Sequence, residues 1–524
     1  MFKLKIISLV LLIFSFQNLF AQEKKIEIIS ASSLDKDEIL YPDANILKGS
    51  STKQVHLRHD EMDIFSNNAI FFKKKNTFIA TGDVFLRQGD SLELNCDSLN
   101  YDGEIKKFFS YGRVSLVNKK TKLNSNELLY DREKNIASFF NGGNIIDSLT
   151  TIESEKGDYL LDLDKYRFND NVIIINPDYT IKSESLDYII GQEKTYFLDS
   201  TKIIGDSYEI NCKRGFYNGL LMKGYFLDNA KILMKDKIIR GDSIYFDDEI
   251  KYASATKNIS IFDRKEKLQI LGEFAEIFEK KDSAIVTKNP MAINTADIDS
   301  LFISADTLYS VGDEKNRIIK GLNNVKFLKK NMSGKSDFIV IDENKGLTRL
   351  IRKKLEKKEL QIMSQEQINM TNPIIWDGNS QISGDEIILK ENMKENRLDS
   401  LIVTNNGFIV ERDTLGVDNY NQIKGIRILG KFLNGKIESL MVDQNAEIIY
   451  HMYNDNNEII GIDKAVSSSI LMIMTENGID KIRFITDPEG MLYPEDYLEK
   501  NEKFLEGFVN RENEKVKKKL DLFN

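Results

Sequence analysis

The sequence predicts an all-β protein: an elongated rod or trough of stacked β repeats of roughly 30 residues, finished by a short C-terminal helix. Three observations predict it. A short phrase, an acidic or small polar residue followed by apolar positions two apart, recurs from Asp97-Ser-Leu-Asn-Tyr101 to Asp385-Glu-Ile-Ile-Leu389. Period-two alternation rich in β-branched and aromatic residues dominates the same region, where helical periodicity is weak. Finally, 524 residues at 41% hydrophobic with only 6 prolines are too apolar for a disordered chain and exclude collagen-like or linker-dominated ones.

Residues 1–21 read as a secretory signal peptide. Lys3 and Lys5 precede an apolar stretch from Ile6 to Phe16, and a cut after Ala21 fits, although Leu19 stands where a small residue is usual. The stretch is shorter than the roughly 20 residues that a bilayer-spanning helix needs. Its removal takes away two lysines and no acid, which moves the formal charge from −9 to −11. So acidic a chain is a poor partner for nucleic acid. Two cysteines, Cys96 and Cys212, are too few for a disulfide framework and fall at equivalent places four repeats apart, so they are expected to stay unpaired.

Residues 22–53 form an N-terminal extension, and the repeats occupy 54–330 with a C-terminal continuation over 331–490. The last residues of successive copies, 101, 130, 161, 188, 217, 246, 277, 310 and 340, are 29, 31, 27, 29, 29, 31, 33 and 30 apart. A second phrase interleaves: Gly82-Asp-Val-Phe-Leu86, Gly112-Arg-Val-Ser-Leu116, Asp170-Asn-Val-Ile-Ile174, then copies beginning at Asn229, Asn258 and Asn324. Each opens on a turn former and continues with alternation, so it reads as a turn followed by a strand. Repeats of this kind cannot bury an apolar face alone and stack on their neighbours. Residues 491–524 change character into a helical, charged tail: Pro494, Glu495 and Asp496 start an amphipathic helix to Phe508, placed to cap the last strand edge.

No motif for phosphate, zinc or a nucleophile appears, and neither cofactor nor metal is expected. His56 and His59 lie in a charged stretch and read as solvated surface; His451 has no evident partner. Asp-Ser pairs such as Asp97-Ser98 and Asp242-Ser243 recur at strand starts, which is turn chemistry. Trp376 reads as packing. The aromatics Tyr101, Tyr130, Tyr188, Tyr217 and Phe246 fit either an aromatic ladder or the lining of a groove.

The run Ala80-Thr-Gly-Asp-Val-Phe-Leu-Arg-Gln-Gly-Asp-Ser-Leu-Glu-Leu94, leading into Cys96-Asp-Ser-Leu-Asn-Tyr-Asp102, resembles the OstA-like family of lipopolysaccharide-transport proteins. Later stretches, Asn372-Pro-Ile-Ile-Trp376, Gln381-Ile-Ser-Gly-Asp385 and Asn421-Gln-Ile-Lys-Gly425, resemble its long Bacteroidetes-type members. The resemblance implies an elongated β-jellyroll or trough of stacked antiparallel strands, a non-enzymatic periplasmic carrier, associated with the outer membrane, whose apolar interior shelters lipid acyl chains. Its implied partners are lipopolysaccharide and, through edge-strand pairing, the inner-membrane export complex and the outer-membrane translocon, with self-association open. The lipid groove is expected at the inward positions Val84, Leu86, Leu99, Tyr101, Val114, Leu116, Leu128, Tyr130, Val172 and Ile174, with Phe85 and Ser115 facing outward. Three rivals stay open: a structural, adhesin-like β rod, a secreted carbohydrate-active β-helix enzyme, and an outer-membrane barrel, which the charges within nearly every strand disfavour.

Overall fold

The computed structural model describes residues 25–523 apart from 119–120, 296–299, 314–315, 331, 396, 417, 435 and 476–477. The expected signal peptide lies outside the described residues. The all-β expectation holds: the described chain is a succession of antiparallel strands, with α-helices only at Lys357–Ile362 and Gln365–Thr371. No described helix is long and apolar enough to cross a membrane. The chain divides into two compact units, one ending at Phe226 and the other beginning at Leu227.

In the first unit the repeat is one long antiparallel hairpin with a corner in its middle. Thr77–Gln88 pairs along its whole length with Leu92–Asp102, which pairs with Lys107–Asn118, which pairs with Thr121–Asp131. The register slips at Gly82-Asp83 and at Gly112-Arg113, where both residues have positive φ. Two residues there face one across the ladder, which is a β-bulge that bends the strand. Glycine, Asn and Asp tolerate the left-handed conformation best, and this is why the second phrase opens on them. The expectation of a turn before each strand is thus corrected: the turn former sits inside the strand, at the bend. Asp170-Asn171 repeats the geometry in this unit, and Lys257-Asn258, Asn323-Asn324 and Asn405-Asn406 repeat it in the second.

The acidic residue that opens the first phrase belongs to the same corner. Asn171 Nδ2 donates to Glu155 at 2.6 Å, Asn258 to Asp242 at 2.9 Å, Asn324 to Asp306 at 3.0 Å and Asn406 to Asp385 at 3.0 Å. Arg113 reaches Asp97 in the equivalent place. The two sequence phrases are therefore the two halves of one corner ladder.

Every bend divides its strand between two wings. In the first unit one wing carries the inward row Phe78, Tyr101, Phe108, Tyr130, Ala137, Tyr159, Tyr166, Tyr188, Thr195, Tyr217, each directly opposite the next. We call it the tyrosine wing. Tyr159, and not Leu161, is the true member of the repeat, so Tyr101, Tyr130, Tyr159, Tyr188 and Tyr217 recur every 29 residues. The other, the aliphatic wing, carries Leu57, Ile64, Leu86, Leu94, Leu116, Leu123, Ile145, Ile152, Ile174, Ile181, Ile203 and Ile210, again directly opposite one another. Both rows are buried, so the core of this unit lies between its wings.

Three further expectations are corrected. Among the described residues strands begin at Glu27, because Glu27–Ser30 pairs with Val55–His59 and Asn45–Lys48 with Asn68–Phe72. The supposed extension is sheet, hidden by strands too short to show alternation. Residues 494–508 are not an amphipathic helix. They hold one 3-10 turn at Glu495–Tyr497 and otherwise run irregularly, with Gly507 at φ 84°, before 3-10 turns at Glu512–Glu514 and Lys519–Leu522. Leu498 and Leu505 pack on Phe408, Val410, Ile449 and Ile462, on the sheet's face and not along its last edge. The helical insertion at 357–371, whose second helix is entered through a Ser364 cap and Gln367, was not expected.

Candidate functional site

The ten expected groove residues all face the interior of the first unit. Leu86, Leu116 and Ile174 lie in the aliphatic row, with Val84, Val114 and Val172 one step nearer the bends. Tyr101 and Tyr130 lie in the tyrosine row, with Leu99 and Leu128 one step nearer the bends. All ten are at most 2% exposed, whereas Phe85 and Ser115 are half-buried on the opposite face. The alternation fixed the strand facing; the structure adds that the two wings meet and that side chains fill the space between them.

The two long sides of this interior differ in how they are closed. Along the bends the backbone is continuous, and main-chain bonds tie neighbouring corners, such as Asn67 N–H to Gly82 O at 2.8 Å and Glu155 N–H to Asp170 O at 3.0 Å. Along the opposite side, where the hairpin turns of the two wings approach each other, side chains make the contacts. Asn118 Nδ2 donates to the Tyr159 hydroxyl at 2.6 Å. The Tyr188 hydroxyl donates to Asp147 at 3.1 Å, and Gly191 N–H reaches the same carboxylate oxygen at 3.0 Å. The Tyr208 and Tyr217 hydroxyls are 2.9 Å apart, and Tyr179 donates to Glu193 at 3.4 Å. At the N-terminal end His59 Nδ1 lies 2.6 Å from the Tyr101 hydroxyl, and Arg132 donates both to that hydroxyl at 2.7 Å and to Gln88 at 3.2 Å.

This polar seam explains the tyrosines. A phenylalanine would serve the packing, but a buried ring at the end of a wing gains from a hydroxyl that meets a polar partner across the gap. Burial pushes the Tyr101, Tyr130 and Tyr159 hydroxyls up to about 12, so they stay protonated at any ordinary pH. His59, expected at the surface, is 1% exposed and belongs to the seam; His56 is half-buried against Asp63 at 2.6 Å. The charged residues around them masked this, because strand alternation puts His59 inside while its neighbours point out. The seam partners Asn118 and Asp147 were missed as well. Their signal is a separation of 41 residues from the tyrosine each meets, with His59 at 42 from its own.

Cys96 and Cys212 are both buried thiols, with no disulfide between them. Burial, with Asp97 beside it, pushes the Cys96 thiol up to about 12, far from a reactive thiolate. Among the described residues no group of three His, Cys, Asp or Glu side chains could hold a metal ion.

Residues 23–184 match the family described as OstA-like protein. Over those residues the chain is similar to that family. The matched region takes in the first described strand and the repeats that hold Tyr101, Tyr130 and Tyr159. Among solved structures the chain is similar to LptH of Pseudomonas aeruginosa, the LptA-homologous periplasmic component of a lipopolysaccharide transport device, at 16% identity and a TM-score of 0.13, over 24% of this chain and 74% of that one. No curated protein matches the chain.

Proposed function

We propose that this protein is a periplasmic carrier of lipopolysaccharide, a non-enzymatic β-trough that holds lipid acyl chains between its wings during outer-membrane assembly. The observation that carries the reading is the aliphatic row from Leu57 to Ile210, twelve leucines and isoleucines side by side across twelve strands without a polar interruption. Globular cores vary residue size to interlock, whereas a uniform apolar track suits a chain that slides along it. Each CH₂ taken from water onto it is worth ~0.8 kcal/mol. The OstA-like match, which takes in the row from Leu57 to Ile181, supports the assignment, and the acidic exterior would keep an anionic headgroup loosely held. Export by the N-terminal signal, and edge-strand pairing with an inner-membrane export complex and an outer-membrane translocon, complete the proposal.

The closed packing of the interior favours a second reading, a structural β rod that binds nothing. In-cell photocrosslinking separates the two. With the probe at Leu86, Leu116 or Ile174 the carrier gives lipopolysaccharide adducts, and with the probe at Phe85 or Ser115 it gives none. A folded protein that yields no adduct at any of the five, in cells rich in the lipid, is the rod.

A further inference from the structure

From the unequal closure of the two long sides we infer that acyl chains enter the first unit sideways, through the tyrosine seam, with the bends acting as the hinge. This rests on the carrier reading above. The interior is full in the closed state, so a lipid that enters must part the wings. Parting them at the bends would break main-chain hydrogen bonds and the continuous strand itself. Parting them at the seam breaks contacts that side chains make, among them Asn118–Tyr159, Asp147–Tyr188, Tyr208–Tyr217 and Asp147 with the Gly191 N–H.

The seam's chemistry also suits what comes through it. Hydroxyl, amide and carboxylate groups that pair with one another when the mouth is shut become hydrogen-bonding groups along its lips when it opens. An amphipathic lipid with its acyl chains inside would place its sugar hydroxyls and phosphate at that level. Arg132, which bonds the Tyr101 hydroxyl at the N-terminal end of the seam and lies 3.9 Å from Asp60, is a largely buried cation that opening would offer to an anionic headgroup. The seam tyrosines are therefore headgroup-contacting residues in the loaded protein and latch residues in the empty one.

Clamping the mouth tests this. Ser148 and Gln192 are exposed turn residues beside Asp147 and Gly191, which bond across the mouth at 3.0 Å. In a full-length chain with Cys96→Ala and Cys212→Ala, the pair Ser148→Cys and Gln192→Cys is joined by a bis-maleimide whose spacer contains a disulfide. Uptake of fluorescent lipopolysaccharide from micelles is expected to fall at least tenfold and to return when the spacer is reduced. The pair Asn144→Cys and Glu153→Cys, joined in the same way across the outer face of one wing, is expected to leave uptake unchanged. Loosening the latch with Asp147→Asn plus Tyr188→Phe is expected to speed uptake several-fold. Equal uptake by clamped and unclamped chains overturns lateral entry and leaves the carrier reading standing. No uptake by any form, the uncross-linked chain included, overturns the carrier reading and lateral entry with it.

Discussion

The aliphatic wing recurs in both units, and the two versions differ in what lies on its outer face. In the first unit the outer row Phe65, Phe85, Asn95, Ser115, Asn124, Asn144, Glu153 is mostly polar, and its members from Phe85 on are half-buried or exposed. In the second unit an outer row runs Ser333, Trp376, Gln381, Val410, Gln422, Ile449, and every member is buried. The C-terminal segment makes the difference. Leu498 and Leu505 lie on Val410 and Ile449, and two glutamines clamp its backbone. Gln422 donates to Lys503 O at 2.9 Å and accepts from Leu505 N–H at 2.9 Å; Gln381 donates to Val509 O at 2.6 Å and accepts from Arg511 N–H at 3.0 Å. One repeat thus serves as a solvated wall or as the middle layer of a sandwich, depending on what its outward positions are given to hold.

Removing the cover should break the comparison most severely. A chain stopped after Tyr493 loses two leucines worth ~1.5–3 kcal/mol each when buried, and leaves Phe408, Val410, Ile449 and Ile462 wet. Hydrogen exchange is expected to accelerate by orders of magnitude in Arg397–Arg412 and Tyr420–Leu433 and to stay unchanged in Thr77–Gln88. Equal acceleration in both would mean that the segment stabilises the whole chain and does not specifically cover this wing. Gln422→Ala is the finer version, because it leaves the buried Leu505 N–H without its acceptor. The expected cost is ~1–3 kcal/mol, read from the denaturant midpoint of the second unit. Gln422→Leu, which also lacks the amide, should rescue none of it.

How much of this was legible follows from where each signal lies. The strands, the repeat and the inward faces of Leu86, Leu116 and Ile174 were readable, because period two survives wherever one face is wet. At Ile374–Trp376 and Phe408–Val410 three residues in succession are buried, and the alternation vanishes. That loss was itself the sign of a covered sheet, but nothing local says what covers it. The C-terminal segment misled for a related reason. Its apolar residues are spaced to reach successive strands, and Leu498, Leu505 and Phe508 happen to fall near helical intervals. The seam was invisible because its partners lie at separations from 9 residues, as in Tyr208–Tyr217, to 44, as in Asp147–Gly191, and only the stacked fold brings them together. The bends were visible as Gly-Asp and Asp-Asn pairs, yet a bulge and a hairpin turn demand the same left-handed residues.

The bends give a smaller test that should affect both units alike. Asn171→Val and Asn258→Val each place a β-branched residue at positive φ and remove an exposed amide–carboxylate bond. Each is expected to cost roughly 1–2 kcal/mol, mostly from the backbone, while glycine at either position costs only a few tenths. A marked difference between the two positions would show that the corner ladder is not equivalent in the two units.

The last test concerns Glu514, which lies on the covered side. Burial would raise its carboxyl, but hydrogen bonds from Arg511 and Lys335 and the charges of both hold it at about 2, against 4.5 for an ordinary glutamate. A carboxylate whose pKa is depressed by folding contributes stability that is complete above pH 4.5 and is lost as the pH falls towards 2. Burial raises the carboxyls of Asp377, Glu411 and Asp463 in the same unit, and these act in the opposite sense, because protonating them favours the fold. The pH profile of the wild type alone therefore mixes both signs. The difference between wild type and Glu514→Gln isolates one, and it should be constant above pH 5 and shrink steadily below 4.5. Hydrogen exchange of residues 505–516 is the appropriate readout, since the Leu498 and Leu505 contacts carry no charge and should hold the start of the segment in place while its ion pairs let go.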